Sequence, residues 1–263
     1  MMIFAFDLIS DLHVDTWPKF DWTGIATSPV AIVVGDIARD RNDLVEVLTH
    51  LGRNYQAVFY VDGNDEHTNY LNDLHQSYAD LVSRIKRIPK IVYLQDNVVV
   101  VDGVAILGTN GWWGFDFDLS IDPTQSAQWY QEKFGLTTDA VKTISRMATT
   151  DAMYMVQSVK RLQTHKDVKK IILVTHTVPD PILISHDLSL ANTWRFNTMG
   201  NRYMRQVFEV DTEHKIHTWC FGHYHNSVDQ VRDGVQYLNH CRGRGNTDHG
   251  QHVYYPRRII IDV

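Results

Sequence analysis

Residues 30–36, Val-Ala-Ile-Val-Val-Gly-Asp, are five apolar residues closed by a glycine and a carboxylate, and four of the five are β-branched. A run this short and this branched predicts a strand buried on both faces rather than a helix. Gly35-Asp36 predicts a tight turn where that strand stops. The same pattern recurs along the chain. Ile3–Ile9 precedes Ser10-Asp11, Ala57–Val61 precedes Asp62-Gly63-Asn64, residues 171–174 precede Thr175-His176, and 217–221 precede Gly222-His223. Further strand-like runs lie at 98–101, 104–107, 235–238 and 258–263, and helix-like stretches fill 41–52, 69–86 and 138–164. Early alternation of strands with helices, followed by strand-rich segments, predicts a layered α/β fold.

The polar residues are concentrated at strand ends. Asp11, His13, Asp36, Asn64, His176, His223 and His225 all follow the C-terminal end of a predicted strand. In open α/β sheets that edge is where ligands bind. Imidazole nitrogen combined with carboxylate and amide oxygen suits Mn, Fe, Zn, Co or Ni better than Mg or Ca. Seven such groups are too many for one ion but suit two ions that share a bridging carboxylate. A metal pair about 3.5–4 Å apart can hold a hydroxide and clamp a phosphoryl group for in-line displacement.

Length and composition narrow the alternatives. The chain has 263 residues, 44% hydrophobic and 21% charged, with a formal net charge of −6. These values fit one large globular domain and disfavour disorder or coiled coil. Two cysteines cannot build a disulfide scaffold or a Cys-rich zinc module, and they suit a reducing compartment. No run approaches the roughly 18 apolar residues of a membrane span. The start, Met1 to Asp7, lacks the basic residues and cleavage site of a signal peptide. A soluble cytoplasmic protein is therefore expected, with no membrane partner. The acidic balance disfavours coating long nucleic acids through bulk charge.

In order, Asp11-Leu12-His13, Gly35-Asp36, Gly63-Asn64-Asp65-Glu66, His176 and Gly222-His223-Tyr224-His225 resemble the signature of the calcineurin-like metallophosphoesterase superfamily. That signature reads D-x-H, G-D, G-N-H-[DE], a lone His and G-H-x-H. The resemblance implies a four-layer α/β/β/α sandwich of two mixed β-sheets flanked by helices, with metals at one sheet edge. It implies that Asp11, His13, Asp36 and His225 hold a first divalent transition-metal ion. Asp36 would bridge, and Asn64, His176 and His223 would complete a second site. The implied activity is phosphoester hydrolysis by a metal-bridging hydroxide; small phosphodiesters such as nucleotides are expected ahead of phosphomonoesters, a tilt that rests on Asp65 standing where the signature has a histidine. A weakly active scaffold of the same fold and a nuclease acting on nucleic-acid ends are the alternatives.

One position departs from the pattern. Asp65 stands where the signature has a histidine that protonates the leaving oxygen or stabilises the transition state. An ionised Asp beside phosphate repels where histidinium would attract, and nearby cations would keep it ionised. His67 or His240 could take the missing role, although each otherwise reads as a surface or loop residue. Asp65 could instead pair with Arg39, Arg242 or Arg244. Arg39, expected on the first turn of the helix after Asp36, and Arg242 are the candidate phosphate-binding arginines. His50, His75, His165, His186 and His249 show no ligand spacing. The stretch 110–165, rich in Trp, Tyr and Phe, is expected to be a packed insertion or a cap over the site within a single domain.

Overall fold

The computed structural model describes residues 3–18, 25–245, 247, 250–251 and 253–263, so His249 lies outside the described residues. The first sheet contains β1 (Ile3–Ile9), β2 (Val30–Val34), β3 (Ala57–Val61), β4 (Ile91–Tyr93) and β11 (Arg257–Asp262). Its order is β11-β1-β2-β3-β4, parallel except at β11. The second sheet contains β5 (Asn97–Val101), β6 (Val104–Thr109), β7 (Lys170–Thr175), β8 (Ile216–Phe221), β9 (Val228–Arg232) and β10 (Val235–Asn239). It runs β5-β6-β7-β8-β10-β9, with the parallel strands in the middle and antiparallel strands at both margins.

The period of two along each strand assigns every side chain to a layer. Ile32 and Val34 of β2 face the second sheet, in one cluster with Leu8, Phe59, Ile106, Ile172 and Val174. Ala31 and Val33 face the other way, against α1 (Arg41–Asn54) and α2 (Leu74–Ile85) through Leu44, Leu48 and Leu81. Likewise Ala105, Leu107, Ile171 and Leu173 pack outward against Met155 and Val159 of α4 (Thr138–Gln163). Two sheets sharing one apolar face, each covered by helices outside, make four layers. This is why the strands read as continuous apolar runs.

Sequence patterning missed β4, β9 and α3 (Pro123–Phe134), and it merged two elements into one. The stretch 69–86 divides into a 3-10 turn, Asp65–Tyr70, and α2, with a break at Asp73, whose carboxylate caps α2 by accepting from Gln76 N at 3.0 Å. A fourth cluster joins Trp112, Trp113, Phe115 and Tyr130 to Ile144 and Ala148 of α4 and to Leu71 and Leu74. Within the described residues, no helix is long and apolar enough to cross a membrane.

Candidate metal centre

Because β1, β2 and β3 are parallel, their C-terminal ends share one edge, and those of β6, β7 and β8 share the facing edge. Backbone and side-chain bonds tie the two edges together. His176 Nδ1 lies 2.9 Å from Val34 O, Asn110 Nδ2 donates to Asp62 O at 3.1 Å, and Arg242 N donates to Ser10 O at 3.0 Å. The loops turn abruptly there. Asp11, His13, Asp36 and His223 all have positive φ, between 43° and 64°. Non-glycine residues seldom adopt that region, and where they do the surroundings must hold them. The glycines permit close approach: a Cβ on Gly222 would sit 2.6 Å from Asp11 Oδ2, and one on Gly35 2.6 Å from His176 Nδ1.

The structure brings the seven predicted ligand residues to one place. Asp11, His13, Asp36 and His225 converge in one group, and Asp36, His176 and His223 in a second. His13 Nε2 is 3.0 Å from His225 Nε2 and 3.7 Å from Asp36 Oδ2. His225 Nε2 is 3.4 Å from Asp11 Oδ1. His176 Nε2 lies 3.3 Å from Asp36 Oδ1 and 3.2 Å from Asn64 Oδ1. Second bonds fix the rings: His176 Nδ1 is bonded to Val34 O, and His223 Nε2 is 3.1 Å from Thr198 O. A ring nitrogen committed to a carbonyl leaves the other one free as a ligand atom.

The donor set fits a pair of transition-metal ions. Two imidazole nitrogens and two buried carboxylates meet in one group, two imidazoles, a carboxylate and an amide oxygen meet in the other, and Asp36 serves both. Burial penalises ionised carboxylates. Against that penalty, contact with His225, His176 and His13 holds Asp11 well below the usual carboxylate range. Asp36 is likewise lowered, chiefly by the charge of His176. The same pairing drives His176 up to about 10 despite burial. His223 falls to about 3 through burial and the charge of His176.

Asp65 reaches the same edge. Its amide donates to Asp36 Oδ1 at 2.8 Å, and its carboxylate accepts from Arg39 Nε at 3.2 Å and from Arg244 Nη2. Asp65 Oδ2 is also 3.2 Å from His13 Nδ1. Burial alone would raise its pKa, but His13, then Arg244 and Arg39, hold it far below the usual range. The next residue, Glu66, binds the ligand loops from behind, accepting from Asp36 N at 3.0 Å, Ile37 N at 2.6 Å and Gly63 N at 2.7 Å.

Four expectations need correction. Neither alternative histidine reaches the cleft. His67 is fully buried, bonded to Asp62 Oδ2 at 2.9 Å and Ser77 Oγ at 2.8 Å, so it is neither a surface residue nor free to swing toward a substrate. His240 stacks on Tyr254, and its Nε2 is 2.8 Å from Tyr255 O. Arg39 precedes the N-cap Asp40 rather than lying in the first turn of α1. Arg242 is buried with its guanidinium 4.2 Å from the Trp17 ring centroid. Arg244, two residues on, lines the cleft instead.

That cleft encloses about 350 Å³. Asp36, Asn64, Asp65, His223 and His225 line it together with Trp113, Trp129, Tyr130, Lys133 and Phe134. Arg195, Thr198 and Met199 belong to the same lining. Lys133, Arg195 and Thr198 carried no motif or spacing signal in the sequence.

No protein-family model and no curated protein matches the chain. Solved structures do. The phosphopantetheinyl hydrolase (PptH) of Mycobacterium tuberculosis matches with a TM-score of 0.68 at 18% identity, over 91% of this chain and 89% of its own. A dimetal phosphatase from Danio rerio matches at 0.56 and 12% identity, over 97% and 91%. A candidate 5′-nucleotidase from Staphylococcus aureus matches at 0.53 and 14% identity, over 99% of this chain but 51% of that longer one. Identities this low establish the fold alone, and the fold they establish is the two-sheet sandwich of the metallophosphoesterase type.

Proposed function

We propose that this chain is a metal-dependent phosphoester hydrolase acting on small phosphodiesters in preference to phosphomonoesters. The observation that carries this reading is the meeting of two acid–imidazole groups, sharing Asp36, at the mouth of a cleft that Arg39 and Arg244 also line. Likeness in fold to a dimetal phosphatase and a phosphopantetheinyl hydrolase supports the same class. Two divalent ions of the Mn, Fe, Zn, Ni or Co type, held by Asp11, His13, Asp36, Asn64, His176, His223 and His225, would supply Lewis-acid charge and lower the pKa of water.

The chain's own residues prepare the rest. Glu66 and the Asp65 amide fix the loop and carboxylate of Asp36, so the shared acid is aimed before substrate arrives. Asp65, ionised and paired with two arginines, is not a proton donor. It holds the guanidinium groups of Arg39 and Arg244 at the cleft wall, where they can bind non-bridging phosphoryl oxygens and offset charge that grows in the transition state. A diester monoanion meets less repulsion from Asp65 than a monoester dianion does. Asp65 offers no proton to the leaving oxygen, so diesters with stable leaving groups are the favoured substrates.

The stretch 110–165 serves as a cap within one catalytic domain; Trp113, Trp129, Tyr130, Lys133 and Phe134 in the cleft lining support that reading. A cytoplasmic setting agrees with two free, buried thiols, Cys220 and Cys241. The purified protein should carry transition metal and cleave a chromogenic phosphodiester faster than the matching monoester. It should lose turnover in excess chelator and recover it with Mn(II) or Zn(II). Full activity in excess chelator overturns the proposal.

A further inference from the structure

The cleft lining carries four basic side chains, Arg39, Lys133, Arg195 and Arg244, in two groups that differ in their partners. Arg39 and Arg244 share the one carboxylate of Asp65. Lys133 and Arg195 line the same cleft from α3 and from the turn Trp194–Thr198. Among the described residues, neither forms an ion pair with a carboxylate, whereas Arg41, Arg84, Arg202, Arg205 and Arg257 all do. Lys133 Nζ lies 4.6 Å from the Trp129 ring centroid and 5.4 Å from that of Phe134. Burial and the charge of Arg195 lower the Lys133 pKa, in keeping with two cations lining one cleft.

A chain of ring contacts runs from His223 to the helix that bears Lys133. Trp113 stacks on His223 at 5.5 Å, Tyr130 meets Trp113 edge-on at 5.4 Å, and Phe134 follows Tyr130 at 4.5 Å. The backbone elements that carry the two cations are also tied together. Asn197, fully buried, donates to Ile121 O at 3.2 Å and to Ser126 Oγ at 3.1 Å, and accepts from Asp118 N at 2.7 Å. These bonds fasten the turn bearing Arg195 to the start of the helix bearing Lys133. Two cations without a carboxylate partner, on elements that Asn197 ties together, suit a phosphate, and the rings in the same cleft lining suit a planar group.

We propose that Lys133 and Arg195 form a second anion site, and that the substrate is a phosphoester with an aromatic body and a second phosphate, the arrangement of a phosphorylated nucleoside. This rests on the phosphoester-hydrolase reading above for the scissile end only. The test uses thymidine 5′-(4-nitrophenyl phosphate) with and without a 3′-phosphate, on metal-loaded protein. The 3′-phosphate should lower KM by about fivefold, the upper range for a contact between exposed charges. In the Lys133→Ala/Arg195→Ala double variant that ratio should fall to about one, and Lys133→Arg should restore part of it. Calorimetric binding of thymidine 3′,5′-bisphosphate against thymidine 5′-monophosphate gives the same ratio without turnover. Turnover with a wild-type ratio near one, or a ratio that survives the double variant, overturns the second anion site. A binding ratio that the double variant erases, with neither ester cleaved, overturns the hydrolase reading and leaves the site standing.

Discussion

Two buried carboxylate–histidine networks lie within a few residues of each other, and they are built to opposite ends. In the first, Asp62 accepts from His67 Nε2 at 2.9 Å, Asn110 Nδ2 at 2.8 Å, Tyr78 Oη at 3.1 Å and Tyr93 Oη. His67 continues to Ser77 Oγ, which also accepts from Arg41 Nη2 at 2.9 Å. The Asp62 carboxylate and both His67 nitrogens have protein partners, and both side chains are shut away from solvent. In the second, imidazole nitrogen faces imidazole nitrogen at His13 and His225, two carboxylates crowd against them, and the backbone is held at positive φ. The first network is satisfied by its own chain and stabilises the junction of β3, α1 and α2. The second leaves strong donor atoms directed at common points, as a receptor for cations must.

Mutation should separate the two. Asp36→Ala is expected to lower kcat/KM on a phosphodiester by at least a thousandfold, about 4 kcal/mol. The melting temperature of the metal-free variant should fall only modestly, because Asp36 anchors one amide and one imidazole, fewer buried donors than Asp62 anchors. Asp62→Ala should do the reverse. It strands several buried donors, so urea unfolding should show a loss of about 3 kcal/mol, with turnover by the folded fraction retained. Loss of turnover without loss of stability in Asp62→Ala would break the comparison.

A third buried carboxylate sharpens it. Asp151 accepts from Gly111 N at 2.8 Å, Trp112 N at 3.1 Å and Gln95 Nε2 at 3.1 Å, yet burial raises its pKa to about 7. The folded value lies above the unfolded one, so folding favours the neutral acid. Its contribution is full below about pH 4 and falls as pH rises toward 7, by about 1.4 kcal/mol per unit along the slope. Between pH 5 and 6.5, wild type should therefore lose about 2 kcal/mol relative to Asp151→Asn, read from paired urea titrations. The smallest effect is expected at Asp65. Asp65→Ala releases Arg39, Arg244 and His13, and metal affinity should weaken by about tenfold in a competition titration, as for other loss of an orienting partner. Asp65→His, assayed on monoesters and diesters across pH, shows whether a restored acid widens the range of esters cleaved.

The sequence made the second network legible and hid the first. Asp11, Asp36, Asn64, His176 and His223 announce themselves because a branched apolar run ends abruptly and a polar residue follows. Parallel pairing then carries those ends to one edge. His67 follows the same kind of run, and nothing local says that it turns inward toward Ser77. Arg242 and Arg244 flank one glycine and are equivalent on paper; only the packing of Trp17 over Arg242 separates them. The margin strands β4 and β9 are short and incompletely buried, which removes the apolar signal that marked the central ones. The cationic part of the cleft was invisible because Lys133 and Arg195 are far apart in sequence and are brought to one cleft only by the fold.

Helix α4 belongs to two cores. Its first half packs with Trp112, Trp113 and Tyr130, and its second half lies on the outer face of the second sheet through Met155, Val159 and Leu162. A lid that swings needs a hinge, but here one unbroken 26-residue rod joins roof to foundation. On the proposed reading of 110–165 as a cap, that roof behaves as a fixed eave. Traffic beneath it is governed by exposed side chains such as Lys133 and Phe134, which reorient in picoseconds to nanoseconds, rather than by slower domain closure. Selection by such a site is a matter of standing shape and charge, so choosiness toward ligands should persist even in protein that is not turning over.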